Sequence, residues 1–165
     1  MSELGSKVKK SIERLKAFEP DEGYYFADSG GKDSTVCHAL LEISGVKHDD
    51  HYRITSVDPP ELIHFLRDNR PTTARELPRY ADGSSKNMWN LIPKKKMPPT
   101  RIVRYCCSEL KEDGGDGRMV ITGVRWAESV NRAKNQGVVT VMEKTAYKEF
   151  GDNTDFMSTP RGGWY

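Results

Sequence analysis

The sequence predicts a three-layer α/β domain with a mostly parallel sheet and helices on both faces. Three observations carry this. A buried apolar run, Tyr24 to Ala27, is followed by a glycine turn and an amphipathic helix. A β-branched run, Arg53 to Val57, is followed by two prolines and a second helical pattern. A further apolar run, Met119 to Val124, follows a glycine-rich turn. Strands alternating with helices are the rhythm of a parallel sheet. At 165 residues the chain has the length of one domain. Residues 1–150 are expected to form it, with 151–165 as a polar tail.

The elements follow in order. Leu4, Val8, Ile12, Leu15 and Phe18 recur at helical spacing, so residues 4–18 predict an amphipathic helix lying on the rest of the domain. Pro20 to Gly23 breaks it. Tyr24 to Ala27 is continuous and apolar, as in a strand buried on both faces. Ser29 to Ser34 is a turn, and from Thr35 the pattern is helical, with Val36, Cys37, Leu40 and Leu41 on one face. Gly45 stands where a C-terminal cap belongs. Pro60 suits the first turn of the next helix, whose Leu62, Ile63, Phe65 and Leu66 face a core. Residues 70–86 read as a polar loop. Short helices are expected at Met88 to Ile92 and Tyr105 to Lys111, a third strand at Met119 to Val124, and one more at Val138 to Met142. The whole is Rossmann-like.

Hydrophobic residues make up 36% of the chain and charged residues 30%, with a mean hydropathy of −0.72. That implies a modest core and long solvated loops. No apolar run approaches the ~18 residues of a membrane span. Lys7, Lys9 and Lys10 precede no apolar segment, so the N-terminus does not read as a secretory signal, and Glu3 and Glu13 argue against a transit peptide. Three cysteines, two of them adjacent, make a poor disulfide framework. A reduced, cytoplasmic protein is expected. His38, His48, His51 and His64 show no zinc spacing.

The net charge of +2 excludes a wholesale polycation. A local basic run, Lys94, Lys95 and Lys96 with Arg101 and Arg104, reads as the rim of an anionic-ligand pocket. No aromatic stacking pattern accompanies it, so nucleic acid is not the expected partner.

Ser29-Gly30-Gly31-Lys32-Asp33-Ser34 carries the chemistry. Its glycines permit positive φ and let backbone N–H groups converge into a nest for an anion. The following helix points its positive end at the same place. Lys32 adds a full charge, and Ser29 and Ser34 add hydroxyl donors. Asp33 would repel phosphate if it faced it, so it is assigned to capping the loop or holding Mg²⁺. Asp28, just before the loop, must turn away, bind Mg²⁺, or weaken anion binding. No glycine stands five residues before the Gly-Lys pair, so the loop is not of the Walker A type. Arg125 and Arg132 follow the third strand, at the carboxyl edge where open α/β sheets bind ligands. Two guanidiniums there grip a phosphate or sulfate in bidentate fashion, and Glu128 orients one of them. Asp58 has two readings: an acceptor for a ribose hydroxyl or adenine edge, or a turn-forming Asp before two prolines.

The Ser-Gly-Gly-Lys-Asp-Ser loop after a strand resembles the PP-loop of the adenine-nucleotide α-hydrolase superfamily. Gly123-Val124-Arg125-Trp126-Ala127-Glu128-Ser129-Val130-Asn131-Arg132 fits a G-x-R-x-x-[EQ]-S-x-x-R pattern, and Ser56-Val57-Asp58 fits a strand-end Asp. In this order, over about residues 20–140, the three resemble the phosphoadenosine phosphosulfate (PAPS) reductase family. The resemblance implies an enzyme binding PAPS, adenylylsulfate (APS) or ATP through residues 29–34, Asp58, Gly123, Arg125, Glu128, Ser129 and Arg132. Lys32, Arg125 and Arg132 would be its catalytic residues, and Mg²⁺ would accompany ATP. The implied chemistry is sulfonucleotide reduction, with a thiol donor such as thioredoxin, or α–β cleavage of ATP to activate a substrate for sulfur transfer. The alternative is a non-catalytic nucleotide-binding subunit of a sulfur-transfer or nucleic-acid-modifying complex.

Two departures bear on the choice. In one branch of the family a Cys-Cys pair joins a later C-x-x-C to hold a [4Fe–4S] cluster, which needs four thiolates. Cys106 and Cys107 supply two, so no cluster is expected, and they stand only as redox candidates. The reductases also carry a C-terminal cysteine that attacks the sulfonyl sulfur, and no cysteine follows Cys107. Cys37 is expected in the core of its helix.

Overall fold

The computed structural model describes residues 3–111 and 114–124. Helix α1 (Glu3–Ala17) leads into β1 (Tyr24–Ala27), α2 (Lys32–Ser44), β2 (His48–Arg53), α3 (Pro60–Asn69) and β3 (Ala74–Glu76). Helices α4 (Met88–Lys95) and α5 (Tyr105–Leu110) precede β4 (Val120–Thr122). The four strands form one parallel sheet in the order β3-β2-β1-β4. The α/β class with a parallel sheet therefore holds. The strand expected at 138–142 and the tail from 151 lie outside the described residues.

The chain steps from β1 outward to β2 and β3, then returns to place β4 on the other side of β1. The reversal point thus lies between β1 and β4. Alternation along β1 sends Tyr24 and Phe26 to one face and Tyr25 to the other. Tyr24 and Phe26 are buried with Leu41 and Val46, and Leu15, Cys37, Met119 and Ile121 pack against them. This is the core between the sheet and the α1–α2 pair. A smaller cluster of Met88, Leu91 and Leu110 joins α4 to α5.

Several elements differ from expectation, each for a physical reason. The second strand is His48–Arg53, not Arg53 to Val57. His48, Asp49, Asp50 and His51 disguise it, because their charge is met by partners distant in sequence. Arg118 pairs with Asp49, His38 with Asp50 at 3.0 Å, and Glu76 with His51 at 2.7 Å. The β-branched run beyond it becomes a turn, with Ser56 at φ 67°. Strand β3 hides in the expected polar loop, because a three-residue strand shows no apolar alternation. Helix α2 begins at Lys32, three residues before the helical pattern does. Val36 is 60% exposed rather than core-facing, and Leu4, Phe18 and Phe65 are exposed too. Helix α4 runs on to Lys95 past Pro93. Its start is fixed by a capping box, in which the Asn87 and Asn90 side chains each accept the other's backbone N–H.

Candidate functional site

The Ser29–Ser34 loop joins the carboxyl end of β1 to α2, beside the carboxyl end of β4. It therefore sits at the reversal of strand order, where open parallel sheets form their ligand crevice. Gly30 has φ +66°, a left-handed conformation that a side chain resists. A Cβ there would also lie 2.3 Å from Leu62 Cδ1 of α3. Gly31 differs from the expectation of positive φ at both glycines. It is extended, at φ −79° and ψ 172°, and serves as the N-cap of α2. It has no side chain to cap the helix, whose first turn carries the acidic Asp33.

Asp28 turns away from the loop mouth. It is buried, and its Oδ2 accepts from Arg70 Nη1 at 2.5 Å. Its Oδ1 accepts the Gly30 N–H at 2.8 Å. Arg70, itself buried at the end of α3, thus neutralises the carboxylate that would oppose an anion. With both oxygens engaged, Asp28 serves the loop's shape, and the Mg²⁺ expectation passes to Asp33 in the first turn of α2.

The serine hydroxyls also bond within the loop. Ser34 is buried and donates to Gly31 O at 2.9 Å, while Ser29 Oγ donates to Ser34 Oγ at 3.2 Å. Both hydroxyls thus support the loop's curvature, Ser34 from a buried position and Ser29 from an exposed one. Lys32 is exposed at the helix start.

Gly123 lies against this loop. A Cβ on it would come within 2.8 Å of Ser34 N and 3.0 Å of the Asp33 carbonyl carbon. Only glycine lets the chain leaving β4 pass the backbone of α2 this closely. Arg125, Glu128, Ser129 and Arg132 lie outside the described residues. Asp58 adopts its turn role: it accepts from Thr55 N at 2.8 Å and Thr55 Oγ1 at 2.7 Å.

The thiols fall into distinct settings. Cys37 packs against the core, and burial, then Asp33 and Asp28, push its thiol up. Cys106 packs against the α4–α5 cluster, and burial, then the neighbouring Cys107, raise its thiol also. Arg104 Nη2 lies 3.6 Å from Cys107 Sγ. The basic run is partly engaged. Lys95 pairs with Glu109 at 2.7 Å, and Lys94 stands 4.1 Å over the Tyr80 ring.

One constellation escapes a search by histidine spacing. His38 of α2 meets His48 and Asp50 of β2, with potential ligand atoms all within 4.8 Å of one another. The signal is a His-x-x-x-Glu on a helix followed by a His-x-Asp on the next strand.

Fold and loop together define a class: a parallel α/β protein with a glycine loop at the reversal point of its sheet. No protein-family model matches the chain, and no curated protein or solved structure matches it significantly.

Proposed function

We propose that this chain binds an adenine nucleotide through Ser29–Ser34 and acts on its phosphates or sulfate, in the manner of the PAPS reductase family it resembles. The observation that carries the reading is the place of the loop. It lies at the reversal of strand order, Asp28 just before it is neutralised by Arg70, and the N-cap of α2 makes no side-chain cap bond. Backbone N–H groups at a helix start and an exposed Lys32 suit a phosphate. Gly123 supports it further, because the segment continuing to Arg125 leaves β4 against the same loop. In this reading Arg125 and Arg132 clamp the terminal phosphate or sulfate.

Of the two reactions, cleavage between the α- and β-phosphates of ATP is favoured. A nucleophile of the acceptor substrate attacks the α-phosphorus, the Pα–O bond to the β-phosphate breaks, and pyrophosphate leaves with the electron pair. The protein's part is to hold the chain of phosphates in line and neutralise charge on the leaving group. Mg²⁺ held near Asp33 would share that neutralisation. Reduction instead needs a thiolate, and burial raises the Cys37 and Cys106 thiols.

Calorimetric titration with ATP and with PAPS tests the site. Lys32→Ala should weaken binding by ~1.5–3 kcal/mol, the scale of a hydrogen bond to a charged group. Unchanged affinity, or no affinity in the parent, would overturn the assignment. Assays for pyrophosphate from ATP and sulfite from PAPS with thioredoxin then separate the reactions. Pyrophosphate without sulfite is the expected result. Steady sulfite lost on Cys107→Ser would establish reduction, and binding without either product would identify a nucleotide-binding subunit.

A further inference from the structure

The polar cluster between α2 and β2 stands apart from the loop and owes nothing to the nucleotide reading. His38 and Glu42 are four residues apart on α2, so they share a helix face. His48 and Asp50 are two apart on β2, so they share a strand face. Packing α2 on β2 brings the four together. His38 Nε2 lies 3.0 Å from Asp50 Oδ2, and His48 Nε2 lies 3.2 Å from Glu42 Oε1 and 3.7 Å from Asp50 Oδ1. His38 Nε2 to Glu42 Oε1 is 4.0 Å.

The tautomer of His48 is fixed by its partner. Its Nδ1 lies 3.0 Å from Val46 O, which only accepts, so Nδ1 carries the proton. A neutral His48 then turns the bare lone pair of Nε2 toward two carboxylates. Asp50 sharpens the conflict. Its side chain is only 7% exposed, and its Oδ1 is buried with no hydrogen-bond partner. His48 Nε2, at 3.7 Å, stands beyond hydrogen-bond reach of Asp50 Oδ1. A cation bound by His48 Nε2 and Asp50 Oδ1 would give both atoms a partner.

We propose that His38, His48, Asp50 and Glu42 form a structural site for a divalent transition ion of the Zn²⁺ class. Ligands at about 2.0–2.1 Å around a tetrahedral zinc stand about 3.4 Å from one another. The ion-pair separations here run from 3.0 to 4.0 Å, and the donor atoms of His38, His48 and Asp50 lie within 4.8 Å of one another, close enough for one ion to draw together. Two imidazoles select Zn²⁺ over Mg²⁺ or Ca²⁺, which prefer all-oxygen shells. The bond from His48 Nδ1–H to Val46 O is the outer support that orients a metal-bound histidine. Asp50 is the buried anchor, and Glu42, 62% exposed, closes the shell from the solvent side. The ion would staple α2 to β2.

The full chain, stripped with a chelator and dialysed against Zn²⁺, is titrated by calorimetry and its metal content measured. One Zn²⁺ per chain is expected, with a rise in Tm, no competition from Mg²⁺, and a four-coordinate visible spectrum when Co²⁺ is substituted. His48→Gln and Asp50→Asn should each weaken Zn²⁺ binding at least ~10-fold, since even loss of an outer support costs that much. Should either fail to fold, Glu42→Gln is the surface substitution that keeps the fold and still removes a ligand. Absence of stoichiometric Zn²⁺ in the folded parent would overturn the site. So would Zn²⁺ binding undiminished in His48→Gln or Glu42→Gln.

Discussion

Gly30 and Gly31 are chemically identical neighbours with different tasks. Gly30 holds φ +66° and lies against Leu62, whereas Gly31 is extended and a Cβ on it would meet only Ser29 Oγ at 3.4 Å. Gly30→Ala should destabilise the fold by about 1–2 kcal/mol, the cost of a left-handed L-residue, and should lower nucleotide affinity. Gly31→Ala should leave stability within about 0.5 kcal/mol of the parent. Urea denaturation of the two variants checks the contrast, and equal losses would refute it. The Asp28–Arg70 pair also belongs at this scale. Both side chains are buried, so Arg70→Ala strands a charge and should cost about 3–5 kcal/mol. In Asp28→Ala/Arg70→Ala the loss should be well below the sum of the two singles, as a denaturation double-mutant cycle would reveal.

At the scale of elements, α4 and α5 are joined by a small apolar cluster and by Glu109, which accepts from Lys95 at 2.7 Å and Lys86 at 3.1 Å. Lys95 first, and then Lys86, hold the Glu109 carboxyl below its usual range, against the opposing effect of burial. A depressed carboxyl stabilises the fold above its unfolded value, about 4.3, and that contribution is lost as pH falls through the lower folded value. At neutral pH the gain is expected to stay under about 1 kcal/mol, because the pair is partly solvated. Thermal melts of the parent and Glu109→Gln should therefore differ at pH 7 and converge below pH 4. A gap that widens in acid would contradict the pairing. The legible elements were those whose pattern is local. Strand β1 is apolar throughout, and α3 opens on Pro60. Strand β2 escapes local pattern because Asp49, Asp50 and His51 are tolerable only with partners from the turn before β4, α2 and β3.

For the whole molecule, the strand order β3-β2-β1-β4 puts the Ser29–Ser34 loop and Gly123 at one edge. The basic run lies elsewhere in the chain, on α4 and the segment leading to α5. Its lysines are partly engaged, Lys95 by Glu109 and Lys94 by the Tyr80 ring. Little duplex binding is therefore expected at physiological salt. If Lys94, Lys95, Lys96, Arg101 and Arg104 did grip a phosphate backbone, log affinity against log salt would fall with a slope of about −4. Filter binding of duplex DNA and RNA over a salt series decides this. Tight, salt-steep binding lost in a Lys94/Lys95/Lys96→Ala variant would reverse the expectation. Among the described residues no helix is long and apolar enough to cross a membrane.

What the sequence determined by itself is the alternation of strand and helix and the glycine loop between the first pair. Both are written in neighbouring residues: a buried run, two glycines, an amphipathic stretch. Which glycine takes positive φ was not, because that depends on Leu62 and Leu66 of α3 closing over Gly30. The fate of Asp28 was not, because its partner Arg70 lies 42 residues away. Nor was the His38–His48–Asp50 cluster, which exists only once α2 lies on β2. Local pattern sets which elements form. Buried charge is settled only by tertiary structure, because a charge leaves water only where another part of the chain supplies its counter-charge.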